Sequence, residues 1–264
     1  MFWPGDPERG CSCGVPVDQC PFWTEVRTQL GQRTPLLEEL ERGQRRYESW
    51  AGFWRSWGKR PGLNEGLDAH VSGMEQFLRV IAQQAGAQTI VESSYSAVRG
   101  RLYRRADLGG GRVRFLHLVR DGRSFLASER SITFDPEAPW PWLRWSPVII
   151  ARWVLFNFAA LLLRLRDPGS YLRVRYEELV LRPAETLTRI GDFLQLDLTD
   201  VARRVTAGEA IPMQHLAAAN RMRLLGRVSL RSDMARPPRL PLATSALFWV
   251  CGGWLALLLG YRPR

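Results

Sequence analysis

The chain of 264 residues contains almost no lysine: Lys59 is the single one, whereas arginine occurs 36 times and the formal net charge is +11. The arginines are spread along the whole sequence and form no basic tail, which argues against a nucleic-acid-binding segment. Guanidinium groups bind phosphates and carboxylates through paired hydrogen bonds, so a few arginines that converge on one ligand suffice for a site. The composition therefore predicts an acidic small molecule as the partner and no nucleic acid.

Cysteine is also scarce, with Cys11, Cys13, Cys20 and Cys251 as the only four. Four cysteines are too few for a disulfide scaffold in a chain of this length, and the N-terminal residues lack the form of a signal peptide. Both features predict a cytoplasmic protein. The first three cysteines could be zinc ligands, but no histidine or fourth cysteine lies near them in the sequence, and structural zinc normally has four ligands. We therefore expect a packed loop with reduced thiols and no metal.

One long segment, residues 242–259, carries no charged side chain. As a helix it could cross most of a bilayer core of about 30 Å. The segment is less apolar than a typical membrane span because it contains Thr244, Ser245, Gly252 and Gly253. We therefore expect a buried or surface-docked C-terminal helix, with membrane association as the alternative.

The hydrophobic periodicity predicts one α/β domain over residues 1–264 with a central parallel sheet. The predicted strands lie near residues 89–92, 113–119 and 171–176. The predicted helices cover residues 25–44, 67–86, 97–106, 148–165, 183–194 and 242–259.

The strand near residues 113–119 is almost continuously apolar, as expected of a central strand covered on both faces. It stops at Arg120, and Asp121 can then cap a helix that carries Ser128. Ligands of parallel sheets bind at the carboxyl ends of the strands, so Arg120 and Ser128 are candidates for gripping a phosphate. The alternative is a surface arginine that pairs with Asp121 or Glu129.

These residues, together with several further segments, resemble the sulfotransferases that use 3′-phosphoadenosine 5′-phosphosulfate, in particular their bacterial members. The Arg120-to-Ser128 pair matches the family's 3′-phosphate signature, and Val174-Arg-Tyr-Glu-Glu-Leu179 with Arg182-Pro183 resembles its strand-and-helix motif. Looser matches are Cys11-Ser-Cys-Gly14, Cys20-Pro-Phe-Trp23, Val91-Glu-Ser-Ser94, Asn220-Arg-Met-Arg223 and Gly260-Tyr261.

The resemblance implies a P-loop-type three-layer fold and a sulfotransferase that moves a sulfuryl group from the nucleotide to a hydroxyl or amine of a carbohydrate or other small acceptor. It implies that Arg120, Ser128 and Arg223 bind the nucleotide. The catalytic base is not identified, because His70, His117 and His215 are each more typical of structural histidines.

Two features depart from the family pattern. A first strand and a Gly- and Ser-rich phosphate loop, which hold the 5′-phosphosulfate in the family, are missing ahead of Cys11. Tyr95 stands where the family has a lysine, and Arg99 or Arg101 is a candidate to replace that charge. Two hypotheses follow: an enzyme whose N-terminal part is truncated, or a catalytically inactive remnant that acts as a binding or membrane-associated protein.

Overall fold

The computed structural model describes residues 10–31, 34–49, 63–93, 97–104, 112–133, 141–216, 224–230 and 239–263. The chain divides into two compact units, one made of residues 1–113 and 210–229 and the other of residues 114–209 and 230–264. The single domain over residues 1–264 stays a prediction, and each unit is described by itself below.

The elements are, in chain order, α1 (Pro21–Gly31), α2 (Thr34–Tyr47), α3 (Leu63–Ala85), α4 (Ala97–Tyr103), β1 (Phe115–Val119), α5 (Gly122–Thr133), α6 (Pro141–Arg166), a 3-10 turn (Pro168–Ser170), β2 (Tyr171–Arg175), α7 (Tyr176–Leu181), α8 (Pro183–Leu194), α9 (Thr199–Thr206), β3 (Ile211–Pro212), β4 (Arg227–Val228) and α10 (Leu242–Leu258). The helix predicted over residues 25–44 is thus replaced by α1 and α2, and the predicted helix over residues 183–194 has the observed bounds.

The first unit is mainly helical, with α3 packed against α1, α2 and α4. Its only paired strands among the described residues are the short antiparallel β3 and β4. One hydrophobic cluster joins the N-terminal loop to α1, and it consists of Cys11, Val17, Cys20, Trp23, Val26 and Leu30. A second cluster joins α2, α3 and α4 through Tyr47, Leu67, Val71, Met74 and Leu102.

The strand predicted at residues 89–92 is wrong. These residues follow α3 without forming a ladder with any described strand. The side chain of Val91 is 82% exposed, so the apolar pair Ile90-Val91 is not covered as a sheet strand would be. A short apolar run does not by itself determine a strand, because strand pairing depends on a distant partner.

The second unit contains the parallel sheet, in which β1 pairs with β2 in a register from Phe115 opposite Tyr171 to Val119 opposite Arg175. Helices α5 and α6 lie between the two strands in the sequence, which confirms the α/β class with a parallel sheet. The expectation that β1 is covered on both faces is wrong in the described structure. Leu116 and Leu118 are 41% and 48% exposed, because no described element covers the face on which they lie.

The core of the second unit lies where α6 packs against α5 and α10. Its buried members are Val119, Leu126, Ile149, Ile150, Trp153, Phe248, Leu255, Ala256, Leu259 and Tyr261. Gly122, the first residue of α5, faces this core. A Cβ at Gly122 would lie 2.6 Å from Cζ of Phe248 and 3.0 Å from Cδ2 of Trp153, so only glycine allows α5 to begin this close to α10.

Among the described residues, one helical stretch, Trp145–Leu165 in α6, is long and apolar enough to cross a membrane by length and composition. This is weak evidence, since a core helix of a water-soluble protein has the same features. Helix α10 buries Phe248 and Leu255 but leaves Leu242 and Val250 90% and 80% exposed. Membrane contact through α10 stays a prediction.

We expect Gly122→Ala to lower the stability of the chain, because the added methyl overlaps Phe248 and forces α5 away from α10. Overpacking of a core typically costs about 1–3 kcal/mol. The measurement is the urea midpoint of unfolding, with Gly169→Ala as the control, since a Cβ there would lie 3.7 Å from the nearest atom, Oδ1 of Asp167. Equal midpoints for the two variants would contradict the close packing.

His117 on β1 is kept neutral by burial, and two partners orient its ring. Nδ2 of Asn157 donates to the carbonyl of Trp153 at 2.7 Å, so Oδ1 of Asn157 accepts from Nε2 of His117 at 2.9 Å. Nδ1 of His117 then accepts from the Tyr171 hydroxyl. Burial lowers the pKa of His117 from 6.5 to about 4.

The low pKa of His117 predicts that acid destabilises the second unit. Between pH 6.5 and about pH 4 the unfolded chain binds a proton at His117 that the folded chain does not bind. This contribution to stability is therefore complete above pH 6.5 and is lost as the pH falls towards 4. Urea midpoints measured across this range should fall less steeply for His117→Gln than for the wild type, and parallel curves would show that another group causes the acid sensitivity.

Candidate functional site

The candidate site is the turn that joins β1 to α5. Asp121 caps α5: its Oδ1 accepts from the main-chain N–H of Arg123 at 2.8 Å. The same carboxylate accepts two bonds from the guanidinium of Arg123, at 3.0 and 2.7 Å. Asp121 and Arg123 are both buried, so their charges balance each other inside the turn.

Glu177 ties this turn to two other segments of the second unit. One of its carboxylate oxygens accepts from the main-chain N–H of Asp121 at 2.9 Å, and the other accepts from the Tyr261 hydroxyl at 2.9 Å. The same hydroxyl lies 3.2 Å from the carbonyl of Val119. Burial and the charge of Glu177 raise the pKa of Tyr261, so its hydroxyl keeps the proton that it donates. These contacts give Glu177 a structural role.

Arg120, the first predicted site residue, has no carboxylate to neutralise it among the described residues. The alternative surface pairs do not form, because Asp121 binds Arg123 and Glu129 binds Arg152 at 2.8 Å. The Arg120 guanidinium instead lies over the ring of Tyr176, 5.1 Å from its centre. Its Nε is buried without a hydrogen-bond partner.

The main chain at Arg120 is also fixed. Nε1 of Trp153, on α6, donates to the carbonyl of Arg120 at 3.1 Å. Arg120 is thus held by its backbone and by the Tyr176 ring, while its Nε has no hydrogen-bond partner. A buried donor without an acceptor costs about 1–3 kcal/mol, which an anionic ligand would recover.

Two serines on α5 follow Arg120. Ser128, the second predicted site residue, is half-buried. Ser124 lies four residues earlier and therefore on the same helix face. It is 3% exposed, and its hydroxyl has no hydrogen-bond partner. The sequence interpretation missed Ser124, although the i, i+4 spacing from Ser128 was a signal that could have found it.

Arg175 at the end of β2 is a second arginine next to the turn, since it pairs in register with Val119. Its Nη1 donates to the carbonyl of Gly260 at 3.3 Å, and its guanidinium lies over the Tyr261 ring at 4.9 Å. Through these two contacts Arg175 holds the segment after α10. Nε of Arg175 is also buried without a hydrogen-bond partner, but it lies 3.9 Å from Oε1 of Glu178. Arg175 therefore has a carboxylate nearby, which Arg120 lacks among the described residues.

The structure does not test every predicted residue. Arg223, predicted to close over the nucleotide, and Tyr95, which stands in place of the lysine, lie outside the described residues. The predicted lack of a first strand and phosphate loop also stays a prediction. In the first unit, Arg99 pairs with Glu48 at 2.9 Å and with Glu92 at 2.8 Å, so carboxylates balance the charge that it was expected to supply.

The three histidines considered as general bases all have structural partners. His70 is buried and lies 3.3 Å from Glu48. His117 is bonded to Asn157 and Tyr171, as described above. Nδ1 of His215 lies 3.3 Å from Sγ of Cys20, in the first unit.

Comparison with known proteins gives one match to a protein family, over residues 112–200, which include Arg120, Ser128 and Glu177. The matching model is that of the sulfotransferase family. The match covers about a third of the chain. No curated protein matches the chain.

Two solved structures have a low similarity to this chain. The sulfotransferase domain from the curacin biosynthetic pathway is 16% identical, covers 72% of this chain and 69% of its own length, and has a TM-score of 0.47. The sulfotransferase domain of the Synechococcus PCC 7002 olefin synthase is 21% identical, covers 85% and 78%, and has a TM-score of 0.43. The similarity to a known family rests on residues 112–200.

We expect Tyr261→Phe and Glu177→Gln each to destabilise the turn between β1 and α5, because each removes part of a buried hydrogen-bonded network. Loss of a buried partner costs about 1–3 kcal/mol. The two variants and their double variant form a thermodynamic cycle, measured by urea unfolding. If Tyr261 and Glu177 bond directly, the double variant loses less stability than the sum of the two single losses, and simple additivity would contradict the contact.

Proposed function

We propose that this chain is a sulfotransferase that binds 3′-phosphoadenosine 5′-phosphosulfate and transfers its sulfuryl group to a hydroxyl or amine of a carbohydrate or other small acceptor. Arg120, Ser124 and Ser128 bind the 3′-phosphate of the nucleotide. Arg223 is proposed as a further ligand of the same nucleotide.

The observation that carries the proposal is the pair of unsatisfied buried donors in one turn. Nε of Arg120 and the hydroxyl of Ser124 both lack hydrogen-bond partners, and the carboxylates near Arg120 are bound to other arginines. Main-chain N–H groups at the start of α5 add a partial positive charge at the same place. A doubly charged phosphate matches this set of donors better than a carboxylate or a neutral group would.

The roles of these residues follow from the part of the nucleotide that they contact. The 3′-phosphate is remote from the sulfur that reacts, so Arg120 binds and orients the donor and does not touch the bond that breaks. In-line transfer depends on such positioning. We therefore assign Arg120 to the affinity for the donor.

The test is calorimetry with two ligands, adenosine 3′,5′-bisphosphate and adenosine 5′-monophosphate. Arg120→Ala removes charge-assisted hydrogen bonds worth about 1.5–3 kcal/mol each, which is about 10- to 150-fold in affinity per bond. We expect this loss for the bisphosphate only, since the monophosphate has no 3′-phosphate. Ser124→Ala and Ser128→Ala should each lower the bisphosphate affinity by a smaller factor.

The control variant is Arg203→Ala, which removes an arginine that is 67% exposed and pairs with Asp200 on α9. It should leave both affinities unchanged. An equal loss for both nucleotides would show that Arg120 does not bind the 3′-phosphate. A wild-type chain that binds neither nucleotide would favour the inactive remnant over the enzyme.

A further inference from the structure

Four side chains that no step of the proposed reaction uses meet in the first unit. They are Cys11, Cys13, Cys20 and His215, and their ligand atoms all lie within 4.8 Å of one another. Cys11 and Cys20 are fully buried, Cys13 is exposed and His215 is partly buried. The sequence predicted no metal because no fourth ligand lay near the three cysteines, and His215 supplies that ligand from 195 residues away.

We propose that these four side chains bind one structural Zn²⁺ ion as a Cys3His site. Zinc–sulfur bonds of about 2.3 Å and zinc–nitrogen bonds of about 2.0–2.1 Å in a tetrahedron place sulfurs about 3.8 Å apart and sulfur about 3.5 Å from nitrogen. Sγ of Cys13 lies 3.7 Å from Sγ of Cys20, and Sγ of Cys20 lies 3.3 Å from Nδ1 of His215. The side chains thus already have nearly the spacing that the ion requires.

The loop that carries the three cysteines, residues 11–20, begins with a tight turn. The N–H of Gly14 donates to the carbonyl of Cys11 at 3.0 Å, and the N–H of Cys11 donates to the carbonyl of Val15 at 2.8 Å. Gly14 has φ of 93°, which a residue with a side chain rarely adopts. Cys20 directly precedes α1, so the third thiol stands on the start of a helix.

His215 is held in place by neighbours that act on its ring and its backbone. The ring of Phe22 stacks on the imidazole with centres 5.0 Å apart, and Nε1 of Trp23 donates to the carbonyl of His215 at 2.7 Å. Ser12, which lies between two of the cysteines, accepts from the N–H of Leu216 at 2.8 Å and donates its own N–H to the carbonyl of Leu216 at 3.0 Å. Such outer contacts orient metal-binding histidines.

The backbone of His215 supports the same conclusion. Its φ of 51° lies in the left-handed region, which is uncommon for residues other than glycine and is kept only when surrounding contacts enforce it. Three thiolates and one imidazole are ligands that zinc prefers, and four protein ligands leave no position for water or substrate. The ion would therefore fasten the His215 segment to the N-terminal loop and take no part in sulfuryl transfer.

The rival arrangement is a disulfide between Cys13 and Cys20. A disulfide needs a sulfur–sulfur separation of about 2.05 Å, and it would leave Cys11 and His215 next to each other without a shared partner. The experiment must separate these outcomes, and thiol counting does so. Zinc keeps all four cysteines reduced, whereas a disulfide leaves two.

The first measurement is the zinc content of the full chain after purification and dialysis, by plasma mass spectrometry. We expect one zinc per wild-type chain, much less in Cys13→Ser and His215→Ala, and one zinc again in His215→Cys, which restores four ligands. Cys251→Ser is the matched control, because Cys251 is also exposed but lies on α10 in the second unit. The control should keep its zinc.

The second measurement uses cobalt with the wild-type chain, so that it does not depend on a variant that folds. Cobalt added to the metal-free chain should give the intense visible bands of tetrahedral Co²⁺ and a sulfur-to-cobalt charge-transfer band, and zinc should displace it. A wild-type chain that binds neither zinc nor cobalt, zinc that is equally absent from Cys251→Ser, or two oxidised cysteines would overturn the proposal. None of these outcomes bears on nucleotide binding through Arg120.

Discussion

The second unit depends on one buried carboxylate, that of Glu177. Its two oxygens accept from the backbone of Asp121 and from the hydroxyl of Tyr261, so it joins the end of β1, the start of α7 and the segment after α10. Burying a carboxylate costs free energy unless its oxygens accept hydrogen bonds. This cost favours the one arrangement in which both oxygens of Glu177 have a donor. The position of Arg120 follows, since its neighbours on both sides are held by this network.

The same constraint explains how an arginine can stay without a carboxylate partner. Asp121, the nearest acid in the sequence, is held in a paired bond with Arg123 and so is withdrawn from Arg120. Two arginines of the turn therefore have different roles. Arg123 forms the ion pair with Asp121, whereas Arg120 has no carboxylate partner among the described residues. Gly122, which lets α5 approach Phe248, is the residue that makes room for this turn.

The sequence was sufficient where the signal was local. The end of β1, the Asp121 cap of α5 and helix α8 from Pro183 to Leu194 could be predicted because strand ends, caps and periodicity depend on near neighbours. The binding roles of Arg120 and Ser128 stay predictions. The strand predicted at residues 89–92 was wrong because a strand needs a pairing partner, which the segment itself does not specify. The exposed Leu116 and Leu118 were missed for a related reason: an apolar run shows what could be covered and not what covers it.

The partners of Glu177 and of Cys20 show where prediction from sequence stops. Residue types indicated an acid after β2 and three thiols near the N-terminus, but Tyr261 is 84 residues from Glu177 and His215 is 195 residues from Cys20. Such contacts are set by the packing of whole elements. Only the folded structure could show that a histidine considered as a base lies beside the cysteines.

The separation between Val119 and Tyr261, 142 residues, has a consequence for how the protein is made. The turn that carries Arg120 leaves the ribosome long before Phe248 and Tyr261, which pack and bond it. At about 5–20 residues per second, synthesis of the intervening chain takes about 7–30 s. During that interval the newly made turn lacks the hydroxyl of Tyr261 and the apolar contact with Phe248. The turn therefore reaches its final packing only after residues 248–261 have been synthesised.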